Sequence, residues 1–150
     1  TVRRRLKDMP EQQRRFWERD RPFEFRSVEA IDDGRPRPGV RHIWFRLAGQ
    51  CPGNVELNRC LLAYVSDFHL LEPATLPHGL SFHTGDVLLA SLDHAMWFHR
   101  PFRIDDWLLY ALISPSSSGA RGMAFGRIFD RAGRLVASTA QEGLMRVREG

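Results

Sequence analysis

Three polar side chains stand where the surrounding pattern is apolar. Asp67 lies on one helical line with Cys60, Tyr64 and Leu71, by steps of four, three and four. A carboxylate on that stripe meets two penalties. Burial costs free energy or raises its pKa, and the helix C-terminus disfavours negative charge. A residue kept against both is a functional candidate; the alternative is that Asp67 simply emerges at the helix end into solvent. Ser91 falls in Val87-Leu88-Leu89-Ala90-Ser91-Leu92-Asp93 and shares a strand face with Val87 and Leu89. That is an apolar setting for a hydroxyl, unless it is a small strand residue bonded to backbone. Gln141 shares a face with Leu135, Ala137, Thr139 and Met145. A primary amide there needs a partner, unless the face is the outer, solvated one. Carboxylate, hydroxyl and amide are hydrogen-bonding groups, and the first is titratable.

Other chemistries find less support. His94, His99 and Asp93 suggest a metal, but positions 94 and 99 of a regular strand point to opposite faces and cannot share an ion. C-x2-C spacings are absent. A Ser-His-Asp arrangement lacks its G-x-S-x-G elbow. Gly119, Gly122 and Gly126 fall within strands with no helix following, so they form no phosphate loop. Cys51 and Cys60 fit reduced thiols rather than a disulfide framework.

The elements that must position these groups follow from periodicity. Pro10 to Arg19 reads as a short helix opened by proline. Residues 22–29 and Val40 to Leu47 alternate as strands, with a Pro/Gly-rich loop over residues 30–39. Asn54 is a plausible N-cap, with Glu56 in the first turn, for an 18-residue helix reaching Leu71. Its apolar residues cover most of the circumference, which predicts burial on more than one side. After a broken loop over residues 73–79, four strands are expected: Val87–His99, Trp107–Ser114, Gly119–Asp130 and Arg134–Arg146. Asp130-Arg131-Ala132-Gly133 makes the last hairpin turn, and residues 114–119 make a tight connection. The sum is an α+β layout: one long helix wrapped by a curved antiparallel sheet of about six strands, a hot-dog fold. The chain divides into a basic helical lead-in or linker over residues 1–19 and one folded unit over residues 20–150.

Composition bounds the function. The 150 residues, 43% of them apolar, suit one domain with a real core. The longest apolar run is seven residues, Trp107 to Ile113, far short of the roughly 20 of a membrane span. No cleavable signal follows the basic start, and an opening Thr1 suggests a trimmed piece. The net charge of +4 is uneven, with +5 over residues 1–46 and −1 over the remainder. A basic front can meet an anionic partner, but acids interleave with the bases and no nucleic-acid motif is present. A solvated, Arg-rich segment is the expectation.

The string Ser91-Leu92-Asp93-His94-Ala95-Met96-Trp97-Phe98-His99-Arg100-Pro101-Phe102 carries a resemblance, together with Asp106 to Tyr110. So do Leu62 to Asp67, Ser118 to Gly122 and Val136 to Gly143. These segments resemble the C-terminal half of the acyl-CoA thioesterase II family, over about Asp20 to Arg146. The resemblance implies a tandem double hot-dog enzyme that hydrolyses acyl-CoA thioesters. It implies a catalytic trio of an Asp on the central helix, a Thr or Ser before the Asp-His motif and a Gln in the last strand. These fall on Asp67, Ser91 and Gln141, the residues already out of pattern. Asp67 is then expected to deprotonate a water, with Ser91 and Gln141 holding that water and the carboxylate. A backbone N–H is expected to serve the oxyanion.

No cofactor is expected, coenzyme A being part of the substrate. The expected partner is an N-terminal hot-dog half or another copy, giving a homo-oligomer, in the cytoplasm. The alternative from another class is a non-catalytic hot-dog module that binds acyl-CoA or a partner hot-dog.

Overall fold

The computed structural model describes residues 22–29, 34–80 and 87–147. The lead-in helix over residues 10–19, and the division of the chain at residue 19, lie outside them. Where alternation is strong, strands form as expected. β1 (Phe23–Ser27) and β2 (Val40–Leu47) pair antiparallel. In β2 the inward residues are Arg41, Ile43 and Phe45. Arg41 survives on that buried face because Glu72 stands 3.3 Å from its Nε and Ser27 accepts from its Nη2.

The helix is shorter than its apolar pattern. α1 spans Val55–Ser66, with Asn54 accepting from the Leu57 amide at 3.1 Å as its N-cap and Asp67 as its C-cap. It stops because the Ser66 carbonyl accepts from the Tyr110 hydroxyl at 2.9 Å. Phe68 N–H turns back three residues to Val65, and His69 then enters the left-handed region at φ 66°. Its ring packs edge-on against Phe25 and its Nδ1 bonds Glu72. A second short helix, α2 (Glu72–Thr75), and a 3-10 turn (Leu76–His78) follow. Tertiary partners thus override helical periodicity over the last five residues of the expected helix.

The remaining strands are β3 (Val87–Ser91), β4 (Ala95–Phe98), β5 (Leu108–Ser118), β6 (Arg121–Phe129) and β7 (Leu135–Val147). The sheet order is β1-β2-β5-β6-β7-β3, with β4 also on β7, and every pairing is antiparallel. Among the described residues seven strands therefore fill six lanes. The single run expected over residues 87–99 is broken at Leu92-Asp93-His94. The serine-rich stretch is likewise corrected: Ser114 to Ser118 continue β5 past an irregularity between Ile113 and Ser116. The turn proper is Gly119-Ala120, both at φ 59°. The β6–β7 turn is the expected one. Asp130 accepts from the Ala132 and Arg134 amides, and Gly133 sits at φ 77°.

The inner sheet face meets α1 in one core that includes Ile43, Phe45, Leu62, Val65, Leu108, Tyr110, Leu112, Ile128 and Val136. Two glycines leave room on the inner sheet face, one for a ring from the neighbouring strand and one for a side chain from the segment after α1. A Cβ at Gly126 would stand 2.2 Å from the Tyr110 ring, and one at Gly143 would stand 2.2 Å from Leu71 Cδ1. This is the hot-dog layout, with one correction. α1 buries one side only, through Asn58, Leu62, Val65 and Ser66. Val55, Leu57 and Tyr64 are exposed, Tyr64 to 57%. Asn58 was not anticipated. Its amide donates to the Asn54 carbonyl and accepts from the Ile104 N–H, which anchors α1 to the loop before β5.

That loop carries a second clamp. Asp105 accepts from the Cys51 amide at 2.9 Å and from Arg103 at 2.7 and 3.0 Å. The Arg103 guanidinium, then the Cys51 N–H, hold the Asp105 carboxyl below the usual carboxylate range. A carboxyl depressed by folding binds fewer protons folded than unfolded, so its stabilisation is complete above the unfolded value of about 3.9 and fades as pH falls through it. Unfolding stability measured between pH 5 and pH 3 is expected to fall less steeply in Asp105→Asn than in the parent chain; equal slopes would show that the clamp adds nothing.

Tyr110 offers the sharper test. Burial pushes its phenol far above the ordinary value, so it stays a neutral donor. Tyr110→Phe leaves the Ser66 carbonyl and the Thr139 hydroxyl, 2.7 Å from the phenol oxygen, without that partner. A loss of about 1–3 kcal/mol is expected, read as a lower urea midpoint at unchanged slope. An unchanged midpoint would detach helix termination from this bond.

Candidate active site

Asp67, Ser91 and Gln141 come from three elements and meet at one carboxylate oxygen. Asp67 is the C-cap of α1. Ser91 ends β3, and Gln141 sits on the inner face of β7. Gln141 Nε2 donates to Asp67 Oδ1 at 2.7 Å. The Ser91 hydroxyl approaches the same oxygen at 3.5 Å, a long contact. These are the three residues that the sequence reading singled out, although its reasons for them hold unequally.

Gln141 fits its argument. It is 1% exposed and faces inward, not outward. Asp67 does not fit its own. The helix ends before Leu71, so the four-residue line is broken, and Cys60 and Tyr64 on it are exposed. The Asp67 side chain is 58% exposed and carries little burial penalty. What remains of the argument is its place at a helix C-terminus, against the macrodipole, where the Gln141 amide supplies a compensating donor.

The orientation of the Gln141 amide is settled by this contact. Turned over, its oxygen would face a carboxylate oxygen at 2.7 Å, acceptor against acceptor. With the nitrogen toward Asp67, Gln141 Oε1 is buried and takes no hydrogen bond among the described residues. Asp67 Oδ2 takes none among them either, so one carboxylate oxygen is held and the other is open.

Sequence reasoning missed His94. Regular alternation would put it on the face opposite Ser91. The register shows why it is not there. Ser91 pairs with Gly143 and Ala95 with Ala140, so the edge advances four residues while β7 advances three. One extra residue makes a bulge and resets the alternation. Asp93 fixes it by accepting from the Glu142 amide at 2.7 Å, and Leu92 N–H bonds the Glu142 carbonyl. His94 is thereby turned onto the inner face opposite Gln141. Its Nδ1 lies 3.3 Å from Gln141 Nε2 and 3.9 Å from Asp67 Oδ1. Its Nε2 lies 3.0 Å from Ser66 Oγ. The Asp-His pair after a strand serine was the available signal, a side chain able to cap a bulge. His99 bonds Ser138 on the outer face, so the two histidines remain apart. Among the described residues no three metal-capable side chains cluster.

The arrangement is a carboxylate with one oxygen tied down and one presented to solvent, beside a hydroxyl, an amide and an imidazole. Such an arrangement can act as a general base toward water. A separate groove of about 340 Å³ lies between the 117–121 turn and the ends of β3 and β7. None of the four residues lines it.

Comparison with known proteins bears on the same residues. A family model described as acyl-CoA thioesterase matches residues 13–144. Acyl-CoA thioesterase 2 of Haemophilus influenzae is 39% identical over 143 residues, covering 94% of this chain and 50% of the relative. The crystal structure of an acyl-CoA thioesterase II from Mycobacterium marinum superposes with a TM-score of 0.73 at 41% identity, over 86% of this chain and 51% of that one. A hot-dog protein from Alicyclobacillus acidocaldarius, at 16% identity and a TM-score of 0.66, shares the fold. The chain thus spans about half the length of the Haemophilus relative, and corresponds to its C-terminal half.

Proposed function

The chain belongs to the acyl-CoA thioesterase family, and from that premise we propose that it hydrolyses fatty acyl-CoA to free fatty acid and coenzyme A. The observation that carries this reading is the Gln141–Asp67 bond at 2.7 Å, which ties one carboxylate oxygen and leaves the other open beside Ser91. In the proposed step Asp67 Oδ2 takes a proton from water as the water oxygen attacks the thioester carbonyl carbon. A C–O bond forms, the C–S bond breaks, and the proton passes to the departing thiolate. Ser91 orients the water. Gln141 acts on Asp67 rather than on the water, because its amide nitrogen is spent on Oδ1 and its oxygen is buried. Confining the carboxylate to one direction is what converts a freely turning base into an aimed one. Substrate, water and these side chains balance the proton and the bonds of the step, and a backbone N–H serves the oxyanion.

Two further readings go with it. Among the described residues no helix is long and apolar enough to cross a membrane. Both cysteines are free, which suits a reducing compartment, and we place the protein in the cytoplasm. The exposed apolar side of α1 (Val55, Leu57 and Tyr64) and the open edge that carries Trp97 favour a second hot-dog unit as partner.

Release of free thiol from a medium-chain and a long-chain acyl-CoA tests the activity. Asp67→Ala is expected to lower kcat by about 10²–10⁴, the worth of a general base. Near-parental turnover in the variant would remove Asp67 from that role, and the binding-module reading would then stand. Light scattering at micromolar concentration is expected to return at least twice the chain mass; the mass of a single chain would refute the pairing.

A further inference from the structure

We propose that His94 is a positioning residue for the base: through Nδ1 it pins the Gln141 amide that aims Asp67. The proposal rests on the hydrolytic reading above and adds a fourth residue to it. The hydrogen-bond network permits one consistent arrangement. Gln141 Nε2 carries two N–H groups and faces Asp67 Oδ1 at 2.7 Å and His94 Nδ1 at 3.3 Å. A proton on Nδ1 would set donor against donor, so Nδ1 is bare and accepts. The ring proton is then on Nε2, which donates to Ser66 Oγ at 3.0 Å. Ser66 in turn donates to the Ala63 carbonyl at 2.9 Å. Every proton in the chain has an acceptor.

The path runs from α1 through Ser66, His94 and Gln141 and returns to Asp67, the neighbour of Ser66. A closed circuit of this kind fixes orientation better than a single bond. The terminal torsion of glutamine is broad, and one bond to an exposed carboxylate would leave the amide plane free to turn. The second bond, to a ring held by buried Ser66, removes that freedom. Without His94, one N–H of a buried amide loses its partner, and the amide can swing away from Oδ1. Asp67 would then keep its charge and lose its aim. His94 makes no bond to the open Oδ2 among the described residues, which is why its role is positioning.

The test compares kcat and KM for the parent, His94→Phe, His94→Asn, Gln141→Ala and the His94→Phe/Gln141→Ala double variant, with the nitrogen spectrum of the His94 ring alongside. His94→Phe is expected to lower kcat by about 10- to 10²-fold with little change in KM, the scale of a small misplacement of a reacting group. His94→Asn, which sets an amide oxygen where Nδ1 stands, is expected to recover most of that loss. In the Gln141→Ala background His94→Phe is expected to cost almost nothing further, since both act through one contact. A full loss in that background, or an Asn variant as poor as Phe, would overturn the proposal, because a merely structural ring would behave so. The spectrum separates this from failure of the hydrolytic reading. If parent and Asp67→Ala released thiol equally, hydrolysis would fail, yet the ring would still report. A bare Nδ1 whose resonance shifts in Gln141→Ala supports the proposal; a protonated Nδ1, or no shift, overturns it.

Discussion

The helix has to stop at Ser66. Its apolar sequence would carry it on to Leu71, but the Ser66 carbonyl is taken by the Tyr110 hydroxyl. That one bond crosses from the helix to the middle of the sheet, and Thr139 on β7 holds the other side of the same hydroxyl. Three elements are thus tied at a buried point where water cannot substitute for a lost partner. The consequence is positional. Asp67 becomes the C-cap of the helix and not an interior residue. The chain turns at once through His69, whose left-handed backbone costs of order 1–2 kcal/mol. The half-buried Glu72 between His69 and Arg41 offsets that cost.

A second constraint works from the opposite side. The edge lane beside β7 is two strands with one surplus residue between them. The surplus lets Ser91 and His94, three positions apart, lie on the same face. Asp93 keeps the bulge in place through the Glu142 amide. Helix end and strand bulge thus deliver their side chains to Gln141 from two directions, and Gln141 binds both. The inner face can receive them because Gly143 and Gly126 keep the sheet thin there, one under Leu71 and the other under Tyr110.

The unit is closed on its core side and open on its other. α1 buries Leu62 and Val65 and leaves Tyr64 and Leu57 uncovered. An apolar helix that buries only half its circumference within its own chain is consistent with a chain spanning half the length of its Haemophilus influenzae relative. The exposure of Asp67 belongs to the same geometry. The Asp67 carboxylate is open to solvent, so its orientation comes from the buried Gln141 amide behind it and not from enclosure.

Much of this was legible from the residues alone, and the division has a physical cause. β2, the β6–β7 hairpin and the start of α1 depend on neighbours in sequence: an alternation of two, an Asp-x-x-Gly turn, an Asn cap with its acidic first turn. Such features are settled within a few residues, so sequence reasoning reaches them. The three polar positions were legible as breaks in apolar pattern, and the resemblance to a known family named the same three. Where the helix ends, which way Asp67 is exposed, how the 87–99 run divides and where His94 points were decided by partners 28 to 74 residues away: Tyr110, His94 and Gln141. Local periodicity carries no term for a carbonyl captured across the core or for one extra residue in an edge strand. Only the assembled sheet sets those terms, and they decide how the site is aimed.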